Sequence, residues 1–180
     1  MESVKGETVT LRDGRNFHGK IIVGAGGHND PLRRAKWSES SLKIPIKFVL
    51  MEGEFGDAVE LHFGSMAPGG YAWVFPKERG ANIGLGIQNK FSKDRNLNSL
   101  ADEFISNYEG DITFRGAGSL PMSGSIKQFV KENHLLVGDS AGMVLPSNGA
   151  GITIAMVGGR IAGQTIVSHL DEGTSLHEYE

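Results

Sequence analysis

A chain of 180 residues is long enough to bury a core of its own. Its formal charge of −3, from 18 basic and 21 acidic residues, offers no basic excess for nucleic acid. The absence of cysteine excludes disulfides and thiolate zinc sites, and the polar start from Met1 to Gly6 has no signal-peptide character, so the composition reads as a soluble, cytoplasmic protein.

In chain order, Val9 to Leu11 and Phe17-His18 flank Arg12-Asp13-Gly14-Arg15, and Asp-Gly between extended runs predicts a hairpin. Lys20 to Val23 is a β-branched run that ends in Gly24-Ala25-Gly26-Gly27, a strand delivering into a glycine loop. Arg33, Arg34 and Lys36 form the one basic cluster, which a solvated helix start explains as well as phosphate contact does. Pro45 to Met51, Ala58 to Phe63, Gly70 to Phe75 and Ala81 to Ile87 read as consecutive strands with short turns, an antiparallel sheet. Asn98 or Ser99 caps a helix running to Asn107, with Leu100, Phe104 and Ile105 on one face and Gly110 as terminator. Ile112 to Phe114 is a short strand, and Gly116 to Pro121 reads as a loop. His134 to Val137 is a buried strand ending at Gly138-Asp139, followed by a long helix from Gly149 to Leu170. The last ten residues carry four acids and no Lys or Arg, which reads as an exposed end. Between Leu135 and Val167 the longest run without a strongly polar group is Gly149 to Gly159. It falls short of the ~20 apolar residues of a membrane span, so no transmembrane segment is expected. The class is α/β with α+β character.

Glycine is the outlying residue type, 26 of 180, against a usual ~7%, and it clusters where chemistry is expected. An apolar strand brings the Asp139 carboxylate to a sheet edge, and a loop with Pro146 and Gly149 opens the helix at Gly151 and Ile152. Free N–H groups and the positive dipole end there suit an electron-rich ligand group, and a carboxylate beside them suits a polyol hydroxyl. A glycine loop with a capping Asp is the structural alternative. Gly151, Ala155, Gly159 and Gly163 recur every four residues, a small-residue stripe for close packing. Tyr71, Trp73 and Phe75 alternate and so share one strand face, as core or as a ligand wall. The six histidines show no close-paired ligand spacing, so no metal is expected. Neither a Gly-x-Ser-x-Gly elbow nor a phosphate-loop Gly-Lys-Ser/Thr is present.

Gly138-Asp139-Ser140-Ala141-Gly142, then Pro146 and Gly149-Ala150-Gly151-Ile152, resembles the second FAD motif of the p-hydroxybenzoate-hydroxylase-like flavoproteins. The resemblance implies that Asp139 holds a ribityl hydroxyl and that backbone N–H groups near Gly151 and Ile152 face the pyrimidine edge of the isoalloxazine. Val23 to Asp30 resembles the same superfamily's Gly-Ala-Asp-Gly-x-x-Ser segment. Gly26 stands there for the usual Asp and Asp30 for the usual Ser, while Gly24 and Gly27 keep the backbone role. The segment from Gly118 to Gly124 takes the place of a Pro-containing loop near the flavin. Tyr71-Ala72-Trp73-Val74-Phe75-Pro76 followed seven residues later by Gly84-Leu85-Gly86 resembles the geranylgeranyl reductases, in which this motif lies beside the isoprenoid cavity.

These resemblances imply a partial FAD/NAD(P)-binding-type domain plus an antiparallel substrate-domain sheet. Residues 1–36 are the last strands and glycine loop of the FAD-binding part, 37–133 an antiparallel substrate-binding part with one helix, and 134–180 the second FAD motif, long helix and acidic tail. No Gly-x-Gly-x-x-Gly opens a helix. The adenosine-binding half is therefore expected outside these residues, and FAD binding by this chain alone is expected to be weak or absent. The implied activity is hydride transfer from reduced FAD to isoprenoid (geranylgeranyl) double bonds of a lipid. Electrons come from a reduced carrier or NAD(P)H, the longer enzyme sits at a membrane surface, and no catalytic acid is assigned. The alternatives are an electron-transfer-flavoprotein:quinone oxidoreductase-like dehydrogenase and a non-catalytic structural piece.

Overall fold

The computed structural model describes residues 1–38, 42–92 and 95–180. They divide into two compact units, residues 1–43 with 121–180, and residues 44–120. Of the described residues, 37, 38, 42, 43 and 121–133 group with the first unit, where the sequence places them in a central part.

In the first unit β1 (Ser3–Lys5), β2 (Thr8–Thr10) and β3 (Asn16–His18) form an antiparallel meander. The Asp13-Gly14 turn closes through the Gly14 amide on the Leu11 carbonyl at 3.0 Å, with Gly14 at φ 83°. A second sheet runs β10 (Val130–Lys131), β11 (His134–Leu136), β4 (Ile22–Gly24), and β11 and β4 are parallel with Gly24 beside Leu136. Val130, Leu135 and Leu136 are fully buried with Leu32, Trp37, Ile126, Ala141 and Met143, each large apolar side chain contributing about 1.5–3 kcal/mol. Helix α1 (Pro31–Lys36) starts on the Asp30 cap with Pro at its first position.

Helix α3 (Ile152–Glu172) ends on Gly173 in the left-handed conformation at φ 73°. Its packed face is Gly158, Ala162 and Thr165. The predicted stripe is corrected here: Gly159 and Gly163 have open space where a side chain would be. A four-residue spacing drifts around a helix of 3.6 residues per turn, and the contact with Met143, whose sulfur lies 2.7 Å from a methyl built at Gly158, selects the neighbouring row.

The acidic end is also not exposed throughout. Leu176 and Tyr179 are buried, the Tyr179 hydroxyl donates to the Leu136 carbonyl at 3.2 Å, and the Glu180 carboxylate accepts the Phe129 and Val130 amides at 2.8 and 3.0 Å. Counting charges missed two apolar anchors. Burial alone would raise the Glu180 carboxyl, but the His177 side chain and the two amides outweigh it and hold it below the usual glutamate value. The folded-state carboxyl therefore titrates below the unfolded one. Its contribution is complete above the ordinary glutamate range and is lost as pH falls through the folded value. The amide resonances of Phe129 and Val130 are expected to move in that acidic window, and Glu180→Gln should flatten the response.

The second unit is a five-stranded sheet ordered β6 (Glu60–His62), β7 (Tyr71–Lys77), β8 (Gly80–Gly86), β5 (Lys43–Glu52), β9 (Asp111–Pro121). The β6–β7, β7–β8 and β8–β5 pairs are antiparallel. Helix α2 (Leu97–Ile105) covers one face, with Leu100, Ala101 and Phe104 against Val49, Met51, Val74, Ile83 and Leu85. Its cap is Asn96, which accepts the Ser99 amide at 3.0 Å, rather than Asn98 or Ser99. The predicted loop at Gly116 to Pro121 is strand: β9 runs through its glycines, and at Gly116 only glycine leaves room for the Phe48 ring. No described helix is long and apolar enough to cross a membrane.

Candidate functional site

In the first unit the parallel strands β4 and β11 end side by side, and the Val137 amide bonds the Gly24 carbonyl at 3.0 Å. A crevice outside the carboxyl ends of parallel strands is where α/β sheets hold ligands. Past β11 the chain turns on Gly138 at φ 59° and Gly142 at φ 70°, with Asp139 between them. The loop 145–150 closes through the Gly149 amide on the Leu145 carbonyl at 2.8 Å and delivers Gly151 as the cap of α3. No side chain caps this end and no acid occupies the first turn, so the first N–H groups stay available. Asp139 Oδ1 lies 3.3 Å from a methyl built at Gly151. Asp139 and Gly151 therefore lie together, a side chain at 151 would crowd the carboxylate, and Ile152 beside them is exposed. Pro146 is exposed and lies 3.4 Å from a methyl built at Gly124, which places the 121–124 turn against the same loop.

The glycine loop after β4 is held by a feature that motif matching missed. A methyl built at Gly24 would meet Leu136 Cδ2 at 2.6 Å and Asp30 Oδ1 at 2.9 Å, and one at Gly26 would meet Asp30 Oδ2 at 2.8 Å. The departures at 26 and 30 are thus one adjustment, because the Asp30 carboxylate fills the space a side chain at 26 would need. It accepts the Gly26 amide at 2.6 Å and the Arg33 amide at 3.0 Å. Asp-Pro before a basic helix start is a cap signature, so Asp30 was findable as a cap. Arg33, expected in a surface cluster, is instead buried, and its Nη1 donates to the Ser140 carbonyl at 3.2 Å. Ser140 Oγ donates to the Gly27 carbonyl at 3.0 Å. His28 sits in this loop. Burial and Lys43 lower its pKa, Asp139 raises it, and Arg33 lowers it further, leaving it below the usual histidine value.

In the second unit strand alternation sends Ala72 and Val74 into the core under α2 and puts Tyr71, Trp73 and Phe75 on the other face. Register explains the motif spacing: Tyr71 faces Gly86, Trp73 faces Gly84 and Phe75 faces Asn82 across the β7–β8 hairpin. On the far side Gly84 faces Phe48 and Gly86 faces Ile46. The glycines therefore lie between rows of large side chains, which pack into the space they leave. A methyl at Gly84 would lie 2.6 Å from Trp73 Cζ2, so the indole covers that glycine. Trp73 donates to Asn82 Oδ1 at 2.7 Å, and ring centroids along the row are 5.9 Å apart. Burial pushes the Tyr71 hydroxyl up from its usual value. Pro76 pairs with Ala81 and falls, by alternation, on the opposite face from the rings.

Residues 43–117 match the geranylgeranyl reductase catalytic domain. The chain is 32% identical over 176 residues to digeranylgeranylglycerophospholipid reductase 3 of Methanosphaera stadtmanae, covering 88% of this chain and 44% of that protein. A geranylgeranyl bacteriochlorophyll reductase-like protein of Thermoplasma acidophilum superposes with a TM-score of 0.74 at 26% identity, over 91% of this chain and 46% of its own. A flavin-dependent halogenase of Brevundimonas superposes at 0.69 with 19% identity, over 96% of this chain and 36% of its own, a likeness of fold. The fold is that of the FAD-dependent oxidoreductases. Within that class the chain is similar to the geranylgeranyl reductases, through residues 43–117 and through the digeranylgeranylglycerophospholipid reductases. It spans less than half the length of these relatives.

Proposed function

We propose that this chain carries the flavin-facing and isoprenoid-facing parts of an FAD-dependent reductase of geranylgeranyl groups on a lipid. The observation that supports it most is the row Tyr71, Trp73, Phe75 facing Gly86, Gly84 and Asn82 on the sheet face turned away from α2, inside the segment that matches the family's catalytic domain. A sheet face of aromatic rings packed down on glycines fits a polyprenyl chain, whose binding gains about 0.8 kcal/mol per buried methylene.

The residues of the first unit fit FAD on their own chemistry. Asp139 accepts from a polyol hydroxyl, the uncapped N–H groups at Gly151 and Ile152 hold an electron-rich ring edge, and Gly27 lets backbone approach, while Gly24 makes room for Leu136 and Asp30. When bound and reduced by the carrier, FAD would supply the hydride, and a proton from solvent or an unassigned acid would complete saturation of the isoprenoid double bond. The positive end of α3 favours negative charge at the edge it faces. The ring row orients the apolar chain and keeps water from it. The electrons come from a reduced carrier or NAD(P)H, and the enzyme works at the cytoplasmic membrane surface, where its lipid resides.

The test replaces the matching part of a digeranylgeranylglycerophospholipid reductase with this chain. The hybrid is assayed anaerobically with dithionite and a geranylgeranyl lipid. Mass gains in steps of two hydrogens are expected, and a hybrid that folds with FAD bound but gives none sinks the reading. In the 180-residue chain, Trp37→Phe leaves Trp73 as the one tryptophan, and its emission should shift on titration with geranylgeraniol. Read by calorimetry, since no tryptophan then reports, Trp73→Ala should weaken that binding about tenfold, a loss of about 1.4 kcal/mol, and leave the FAD affinity of the hybrid unchanged. Equal loss of both would return the row to the core.

A further inference from the structure

We propose that Asp30 is the positioning residue of the cofactor crevice, setting the spacing between the glycine loop after β4 and the Asp139 turn after β11. This rests on the reading of that crevice as the flavin site, but its geometry stands without a ligand. Asp30, Arg33 and Ser140 are 3%, 5% and 0% exposed. They form a closed circuit: Gly26 and Arg33 amides on the Asp30 carboxylate, Arg33 Nη1 on the Ser140 carbonyl, and Ser140 Oγ back on the Gly27 carbonyl. The partners bridge 107 and 113 residues of sequence, so no local turn preference can set this distance.

Burying an acid and a guanidinium is a costly way to hold two loops, and apolar packing would serve stability as well or better. What the circuit adds is register. Each glycine loop is free to adopt several backbone paths, and fixed acceptors select one path for both together. The Asp139 carboxylate and the end of α3 then keep one separation from Gly24 and Gly27. Asp30 acts through these groups rather than on a ligand.

His28 reports this separation. It follows Gly27 directly and faces Lys43, Arg33 and Asp139, whose carboxylate alone among the three raises its pKa. In the 180-residue chain, ring-proton NMR titration of His28 with and without Asp139→Asn measures that contribution as a downward shift. The same comparison in Asp30→Ser and in Ser140→Ala is expected to give a much smaller shift, with far-UV circular dichroism unchanged. Asp30→Asn, which keeps an acceptor oxygen, should recover part of it. An Asp139→Asn shift of equal size in the unaltered chain and in Ser140→Ala overturns the proposal. Ser140→Ala removes no charge and carries the test alone if Asp30→Ser does not fold. Failure of the hybrid reductase to bind FAD would sink the cofactor reading and leave this measurement standing.

Discussion

Gly84→Ala is expected to cost about 3 kcal/mol of stability, the upper end of the usual overpacking penalty. The new methyl would lie 2.6 Å from Lys47 O, Phe48 Cβ and Trp73 Cζ2 at once. An indole can swing aside, but Lys47 O belongs to β5, which pairs with β8 over seven residues. Relief therefore requires the central strands to part. Urea denaturation measures the loss, and the Trp73 emission should shift red as its ring leaves the sheet. Gly56→Ala is the control, since nothing lies within 4 Å of its added methyl. Equal midpoints for the two variants would mean that the rings do not lie over the glycines.

Asp139→Ala should separate binding from stability in the opposite sense. The side chain is half-buried just past the end of its strand, so its removal should change the unfolding free energy by less than about 0.5 kcal/mol. A hydrogen bond to a charged group contributes about 1.5–3 kcal/mol. Flavin affinity should accordingly fall by about tenfold to a hundredfold. Fluorescence quenching of FAD titrated into the chain, or into the hybrid reductase, reads this directly. Unchanged affinity would remove Asp139 from the ribityl role.

The parts of the fold set by local chemistry were legible in the sequence. Asp13-Gly14 forces the β2–β3 hairpin, and the alternation from Tyr71 to Phe75 marks β7. The motif spacing was legible too, and the structure supplies its cause: the turn between Lys77 and Gly80 fixes which glycine faces which ring. What stayed hidden depends on partners distant in sequence. Gly116 and Gly118 look like loop residues until Phe48 lies across the first of them. Arg33 looks like surface charge until the Ser140 carbonyl is placed beside it. The departure from family pattern at Gly26 looks like a loss until Asp30 is seen to occupy the same space.

The docked C-terminal turn has a consequence for how the molecule meets copies of itself. Strand β10 is the edge of its sheet, and the unpaired amides of an edge strand are a template on which another chain can add a strand. Here Glu180 occupies the Phe129 and Val130 amides with one carboxylate oxygen. A single acidic side chain thus does the work of a blocking strand, and it adds negative charge where an approaching strand would have to settle. Acid that neutralises this carboxyl weakens both protections together, so edge-to-edge self-assembly becomes easier in the same pH range that frees the tail.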